Sequence, residues 1–180
     1  MVIVLVRHAE PVHPYSGGPD DYHRPLTETG HAQAEGLVEQ LAAMRPDLIA
    51  ASPYLRAVQT VQPLARALGL PVRTDHVLRE WDSGLEPTPD YARHYAASWA
   101  DPDFARPGGE SLRQLTIRAA KALDDLARGH GIVIVGSHGT FVSRALIGFG
   151  LTAVDWSFSQ AMPMPAVYRI AGAEITGPGL

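Results

Sequence analysis

The stretch Val2-Ile3-Val4-Leu5-Val6-Arg7-His8-Ala9-Glu10 sets a short, unbroken apolar run directly before an arginine and a histidine. A run of this kind reads as a strand buried on both faces, as strands of parallel sheets are. Such a strand delivers Arg7 and His8 to its carboxyl end, the edge where open α/β sheets place their active sites. Ile132-Val133-Ile134-Val135 makes a second delivery, into Gly136-Ser137-His138-Gly139-Thr140. Two histidines are therefore expected to meet over one sheet edge.

The segments between these runs alternate in character. Residues 11–25 are rich in Pro, Gly, Tyr, Asp and His without a period, and read as a long loop beside the first strand's end. Thr27 offers an N-cap, and Ala34, Leu37, Val38, Leu41 and Met44 recur at helical spacing until Arg45-Pro46. A short strand over 47–51 runs into Ser52-Pro53, a cap followed by a first-turn proline, which opens a helix over 54–68 with Arg56 in its first turn and Gly69 at its end. A third strand is expected over 71–77, with Glu80 just beyond it. Residues 81–109, rich in proline and aromatics around a helical stretch near 90–100, read as a cover over the sheet edge. Ser111 starts another amphipathic helix through Leu112, Leu115, Ala119, Leu123 and Leu126, and a further helix is expected from Phe141 to about Phe149. Met162-Pro163-Met164-Pro165 ahead of 166–170 suggests an edge strand, and the last four residues are expected to fray. Strands alternating with helices predict an α/β fold, a three-layer α/β/α sandwich around a mostly parallel sheet, with residues 1–180 as one domain.

Composition narrows the function. With 46% hydrophobic and 19% charged residues the chain is globular in character, and no apolar stretch is long enough for a membrane span. The N-terminal run is too short for a secretory signal, so a cytoplasmic protein is expected. Cysteine is absent, which excludes disulfides, thiolate nucleophiles and Cys-ligated metals. A net charge of −4 and the lack of a Lys/Arg run argue against nucleic acid as a partner. Any anion must be held by a few placed arginines.

Those arginines stand at telling places. The planar fork of Arg7 suits phosphate oxygens, and a neutral imidazole at His8 is a competent nucleophile toward phosphorus. Taken alone, Arg7-His8 also fits a packed histidine beside an ion-pairing arginine. Arg56 sits where the free N–H groups of a helix start already favour an anion. His138, flanked by glycines, offers a donor for charge on equatorial oxygens. Glu80 is either a proton carrier or a surface partner for Arg79 or Arg73, and Glu110 either contributes or belongs to helix capping. Convergence of His8, His13, His23 and His138 on a metal is the other chemistry open to the histidines, but no metal-ligand spacing such as His-Glu-x-x-His occurs.

Arg7-His8, Leu26-Thr27-Glu28-Thr29-Gly30-His31, Ser52-Pro53-Tyr54-Leu55-Arg56-Ala57, Leu78-Arg79-Glu80, Gly109-Glu110-Ser111 and Ser137-His138-Gly139-Thr140, in this order, resemble the histidine phosphatase superfamily, the phosphoglycerate mutase-like proteins. The resemblance implies a phosphohistidine intermediate on His8, a phosphate pocket of Arg7, Arg56 and His138, Glu80 as proton donor, and no metal or organic cofactor. It departs from the family pattern at Ala9, where relatives carry glycine, and at Pro87, which replaces the last glycine of a Gly-x-x-Glu-Gly segment.

The implied activity is hydrolysis of a phosphomonoester of a small metabolite, with Trp81, Tyr91, Tyr95 and Trp99 as pocket wall or as ordinary packing of the cover. A phosphoprotein (phosphohistidine) phosphatase, a phosphoglycerate-type mutase and a non-catalytic phospho-ligand-binding domain are the other readings. They separate by activity on phosphopeptides, by transfer to a second hydroxyl, and by indifference to loss of His8.

Overall fold

The computed structural model describes residues 1–180. Its centre is a six-stranded sheet in the order β3-β2-β4-β1-β5-β6. The strands are β1 (Val2–Arg7), β2 (Leu48–Ala51), β3 (Val72–Thr74), β4 (Ile132–Ser137), β5 (Ala166–Ala171) and β6 (Glu174–Thr176). The first four run parallel, while β5 is antiparallel to β1 and β6 to β5.

Alternate residues of β1 serve opposite faces, as the strand pleat requires. Val4 and Val6 pack with Leu41, Ile49, Val61 and Leu64 on one side, whereas Ile3 and Leu5 pack with Leu115, Leu123, Val133 and Phe141 on the other. The first face is covered by α1 (Glu28–Gly36), α2 (Val38–Ala42) and α3 (Leu55–Leu68). The second is covered by α5 (Leu112–Ala127) and α6 (Gly139–Gly148). The helix α4 (Tyr91–Ala100) and the short α7 (Trp156–Ala161) meet over the carboxyl ends of the strands. This is the three-layer α/β/α architecture with a mostly parallel sheet.

Local chemistry explains most boundaries. Thr27 caps α1 through Gly30 N–H, and Ser111 forms a reciprocal capping box with Gln114 at the start of α5. Gly69 ends α3 at φ 66°, a left-handed turn that glycine enters without penalty.

Five expectations need correction. The helix expected as one piece to Met44 breaks at Leu37, whose N–H reaches back only to Ala34 O in a tightened turn after the weak helix former Gly36. The third strand is shorter than expected, and a 3-10 turn over His76–Leu78, capped by Asp75, precedes Glu80. Ser52 lies outside α3 rather than capping it, leaving Tyr54 at the N-cap without a side-chain bond. β5 is not an edge strand: the prolines lie before it, its own N–H groups are free to pair, and β6 takes the edge. The C-terminal residues are tied down, because Tyr168 OH donates to Pro178 O at 3.1 Å.

Candidate active site

Parallel register brings the predicted residues together. Arg7 of β1 lies opposite Ser137 of β4, Ala51 of β2 lies opposite Gly136, and the backbone continues the pairing as His8 N–H donates to Ser137 O and Ser52 N–H to Gly136 O. Three neighbouring strands thus end at one level, and the residues that follow them, His8, Ser52 and His138, converge. The rings of His8 and His138 are 5.3 Å apart, edge to face.

His8 is held in one tautomer. Its Nδ1 lies 2.8 Å from the Ala9 carbonyl, which can only accept, so Nδ1 carries the proton and the neutral ring keeps its lone pair on Nε2. Burial, with Arg56 and Arg7 adding positive charge nearby, lowers the His8 pKa to about 3. The ring is therefore neutral, and nucleophilic at Nε2, at ordinary pH. Ala9 N–H donates to Thr60 Oγ1, and Thr60 in turn donates to Arg56 O, so α3 fixes the turn that follows the nucleophilic position.

Three further cationic or donor groups surround Nε2. Arg56 Nε is 3.4 Å from it, and the Arg56 guanidinium is steered by the Asp21 carbonyl at 2.6 Å and the Asp21 carboxylate at 3.2 Å. Arg7 donates to Met162 O and lies against the start of α6, where a Cβ on Gly139 would stand 3.2 Å from Arg7 Nε. A side chain at this position would press on the Arg7 guanidinium. His138 Nε2 pairs with Ser52 Oγ at 2.8 Å, and burial lowers its pKa well below the usual value. Arg7 Nε and His138 Nδ1 are buried without any hydrogen-bond partner in the chain. Buried polar atoms are rarely left so, because each such orphan costs about 1–3 kcal/mol.

Glu80 completes the cluster from the turn after the 3-10 segment. Its Oε1 accepts from Trp81 N–H (2.8 Å) and Phe141 N–H (3.0 Å), and Oε2 from Thr140 N–H (3.2 Å). The carboxylate thus sits on the first turn of α6, next to His138. Glu80 keeps part of its surface open, yet its carboxyl is sunk among protein atoms. That burial raises its pKa above the ordinary glutamate value in spite of the three donors.

Glu110 and Arg118 hold this turn from behind. They form an ion pair with side chains only 14% and 12% exposed. Arg118 also donates to the carbonyls of Val77, Arg79 and Glu80, and Glu110 accepts from Asp82 N–H. Glu110 therefore supports the Glu80 segment from outside the cluster.

A cavity of about 260 Å³ opens above these groups, with Arg7, His8, Glu80, Tyr91, Tyr95 and Trp156 in its walls. Of the four aromatics expected there, Tyr91 and Tyr95 line it. Trp81 is 6% exposed, packs in the core against Tyr95 and donates its indole N–H to Glu110 O; it borders a second hollow, on the other side of Glu80. Trp99 is displaced from the wall, since it stacks with Arg144 and packs against the core beside Trp156. Sequence reading missed Trp156, Ser159 and Gln160 of α7, which line the cavity, and Asp21 and Ser52, which orient Arg56 and His138. A helix of six residues leaves too little periodicity to be read from sequence.

The arrangement offers a neutral nucleophile amid positive donors, beside a carboxyl that keeps its proton to higher pH than usual. It does not group histidines as metal ligands: His23 pairs with Asp20 at the exposed surface, and no three His, Asp or Glu side chains come together in ligating positions.

Comparison with known proteins agrees with this arrangement. The sequence profile described as histidine phosphatase superfamily (branch 1) matches residues 3–167. Phosphoserine phosphatase 1 of Hydrogenobacter thermophilus is 32% identical over 178 aligned residues, which span 87% of this chain and 80% of that protein. A mycobacterial glucosyl-3-phosphoglycerate phosphatase superposes with a TM-score of 0.76 at 24% identity, over 98% of this chain and 95% of the other. A protein of Thermus thermophilus superposes with a TM-score of 0.70 at 27% identity over the full length of both chains. No helix of the chain is long and apolar enough to cross a membrane.

Proposed function

The chain belongs to the histidine phosphatase superfamily, and from that membership we propose that it hydrolyses a phosphomonoester of a small metabolite through a phosphohistidine formed on His8. The observation that carries this reading is the fixed tautomer of His8, which turns the Nε2 lone pair toward Arg56 in a ring kept neutral by burial. In the first step Nε2 attacks phosphorus and the P–O bond to the leaving group breaks, while Glu80 gives its proton to the departing alkoxide. In the second step Glu80 takes a proton from water, the water oxygen attacks phosphorus, and the P–N bond to His8 breaks to release phosphate. Arg7, Arg56 and His138 hold the equatorial oxygens throughout, and the buried, unpartnered Arg7 Nε and His138 Nδ1 support their assignment to an anion.

The chemistry needs side chains alone, so turnover is independent of metals and cofactors. Tyr91, Tyr95 and Trp156, which wall the cavity beside His8 and Glu80, frame the leaving group of a compact substrate. A cysteine-free chain suits the reducing cytoplasm, where such substrates are found.

The test is hydrolysis of a panel of phosphomonoesters and a phosphohistidine peptide, in chelator, by wild type and His8→Ala, with an alkaline quench to preserve and detect phosphohistidine. Chelator-resistant turnover that disappears in His8→Ala together with the trapped phosphoenzyme is expected. Turnover that survives His8→Ala would overturn the reading.

A further inference from the structure

Arg144, midway along α6, is a largely buried cation without a counter-ion. It is 7% exposed and takes part in no ion pair; only its Nε has a partner, Thr116 Oγ1 at 2.8 Å. Its guanidinium stacks over Trp99, 5.2 Å from the ring centroid, and both Nη groups lack protein acceptors. The two Nη groups are the part of the side chain that reaches the surface, so they stand open to an acceptor from outside the chain.

The guanidinium borders a cavity of about 400 Å³ whose walls are Arg113, Arg144, Pro102, Ile147, Leu151 and Val154. No carboxylate lines this hollow. The two arginines are its charged groups, Arg113 being joined through Nε and Nη2 to the exposed Asp103 carboxylate, and Thr152 is the one hydroxyl among otherwise apolar walls. Arg113 repels Arg144, and burial with that repulsion brings the Arg144 pKa down to about 10, so it is still a cation at neutral pH. The hollow is separate from the cluster around His8. Arg144 follows Thr140, whose N–H holds Glu80, by about one turn of α6, and its side chain leaves the helix toward Thr116 and Trp99 instead of toward His8.

We propose that this cavity is a second anion site, which binds a small organic molecule through a phosphoryl or carboxylate head on Arg144, with the Asp103-paired Arg113 adding charge from the rim, while its apolar body lies on Ile147, Leu151 and Val154. The planar guanidinium, already immobilised by Trp99 and Thr116, presents free N–H groups suited to two oxygens of one head group. An apolar floor beside them fits a body larger than a bare inorganic ion. The site also touches the active centre through α4, because Trp99 meets Arg144 while Tyr95, one helical turn earlier, lines the catalytic cavity, and Trp156 contacts both rings.

The experiment counts bound probe by equilibrium dialysis, with phenylphosphonate in one arm and benzoate in the other, for wild type and Arg144→Gln. Wild type is expected to bind one more equivalent than the variant in at least one arm, and that arm identifies the head group. Equal counts in both arms would overturn the proposal. Melting in anion-free buffer gives an independent reading: Arg144→Gln is expected to melt no lower than wild type and to lose part of the probe-induced rise, whereas a lower melting point with unchanged probe count would assign Arg144 to packing alone. Should Arg144→Gln fail to fold, Arg113→Glu at the exposed rim is expected to weaken the additional site at least about fivefold, and unchanged affinity would overturn the proposal. Neither count depends on turnover, so the result stands apart from that of the His8 experiment.

Discussion

Glu80 and Phe141 are joined by a 3.0 Å hydrogen bond from the Phe141 N–H to a carboxylate oxygen, which seats the acidic side chain on the helix that His138 leads into. The bond ties the proposed proton carrier and the proposed phosphate-binding histidine to one rigid element. A carboxyl placed by three backbone donors and still raised in pKa is suited to giving up a proton late, as the leaving oxygen develops charge.

Glu80→Gln is therefore expected to slow hydrolysis of alkyl phosphates by about 10²–10⁴-fold and of aryl phosphates far less, since an aryl oxide departs without a proton. Steady-state kinetics on matched alkyl and aryl esters checks it. Equal losses on both would remove Glu80 from the acid role.

The pH dependence of stability follows from His8. Its folded-state pKa, about 3, lies below the ordinary 6.5, so its contribution is fully present above that ordinary value and is lost as the pH falls toward the folded value. At about pH 5 the loss from this one group is roughly 2 kcal/mol. Urea denaturation near neutrality and at about pH 5 should show wild type losing that much more than His8→Gln. Parallel losses in the two proteins would mean that the ring is not held neutral by the fold.

Removing Arg56 should leave the fold intact and reduce turnover by at least about 10²–10³-fold, the usual consequence of deleting one preorganised donor to a developing charge. Arg56→Lys should recover little, because a point charge cannot reproduce the fork that reaches both His8 and Asp21. A loss of only a few fold for Arg56→Ala would take it out of the phosphate pocket.

Breaking the Glu110–Arg118 pair has two consequences. With both side chains largely buried, Arg118→Met is expected to cost about 3–5 kcal/mol of stability by stranding Glu110, and a double change to apolar residues much less. Because Arg118 also grips the carbonyls around Glu80, the surviving folded enzyme should show the Glu80→Gln signature in milder form, with alkyl esters suffering more than aryl ones. A uniform loss across leaving groups would mean that the pair stabilises the fold without positioning the acid.

What the sequence disclosed, and what it withheld, follows from how local each signal is. β1 and β4 were legible because strands buried on both faces must be apolar throughout, and the residues after them were then bound to meet if the strands were parallel neighbours. The caps at Thr27 and Ser111 were legible because the residue that satisfies a helix start is its immediate neighbour. The break at Leu37 was not, since the apolar spacing continues across it. The place of β5 was misread because prolines that precede a strand look much like prolines within one. Asp21 and Trp156 escaped because their contribution is made across the fold, to Arg56 and to Tyr95, and nothing in their own neighbourhoods marks it.

The central position of β1 has a consequence for motion. It is the strand that carries Arg7 and His8, and it is hydrogen-bonded to β4 on one side and to β5 on the other. Its amides can exchange with solvent only by openings that approach global unfolding, whereas the exposed turns around residues 84–90 of the cover open at small free-energy cost. The molecule is thus divided into a slow-exchanging base and a fast-exchanging roof. Nε2 of His8, the proposed reacting nitrogen, is thereby anchored to the part of the molecule that opens least.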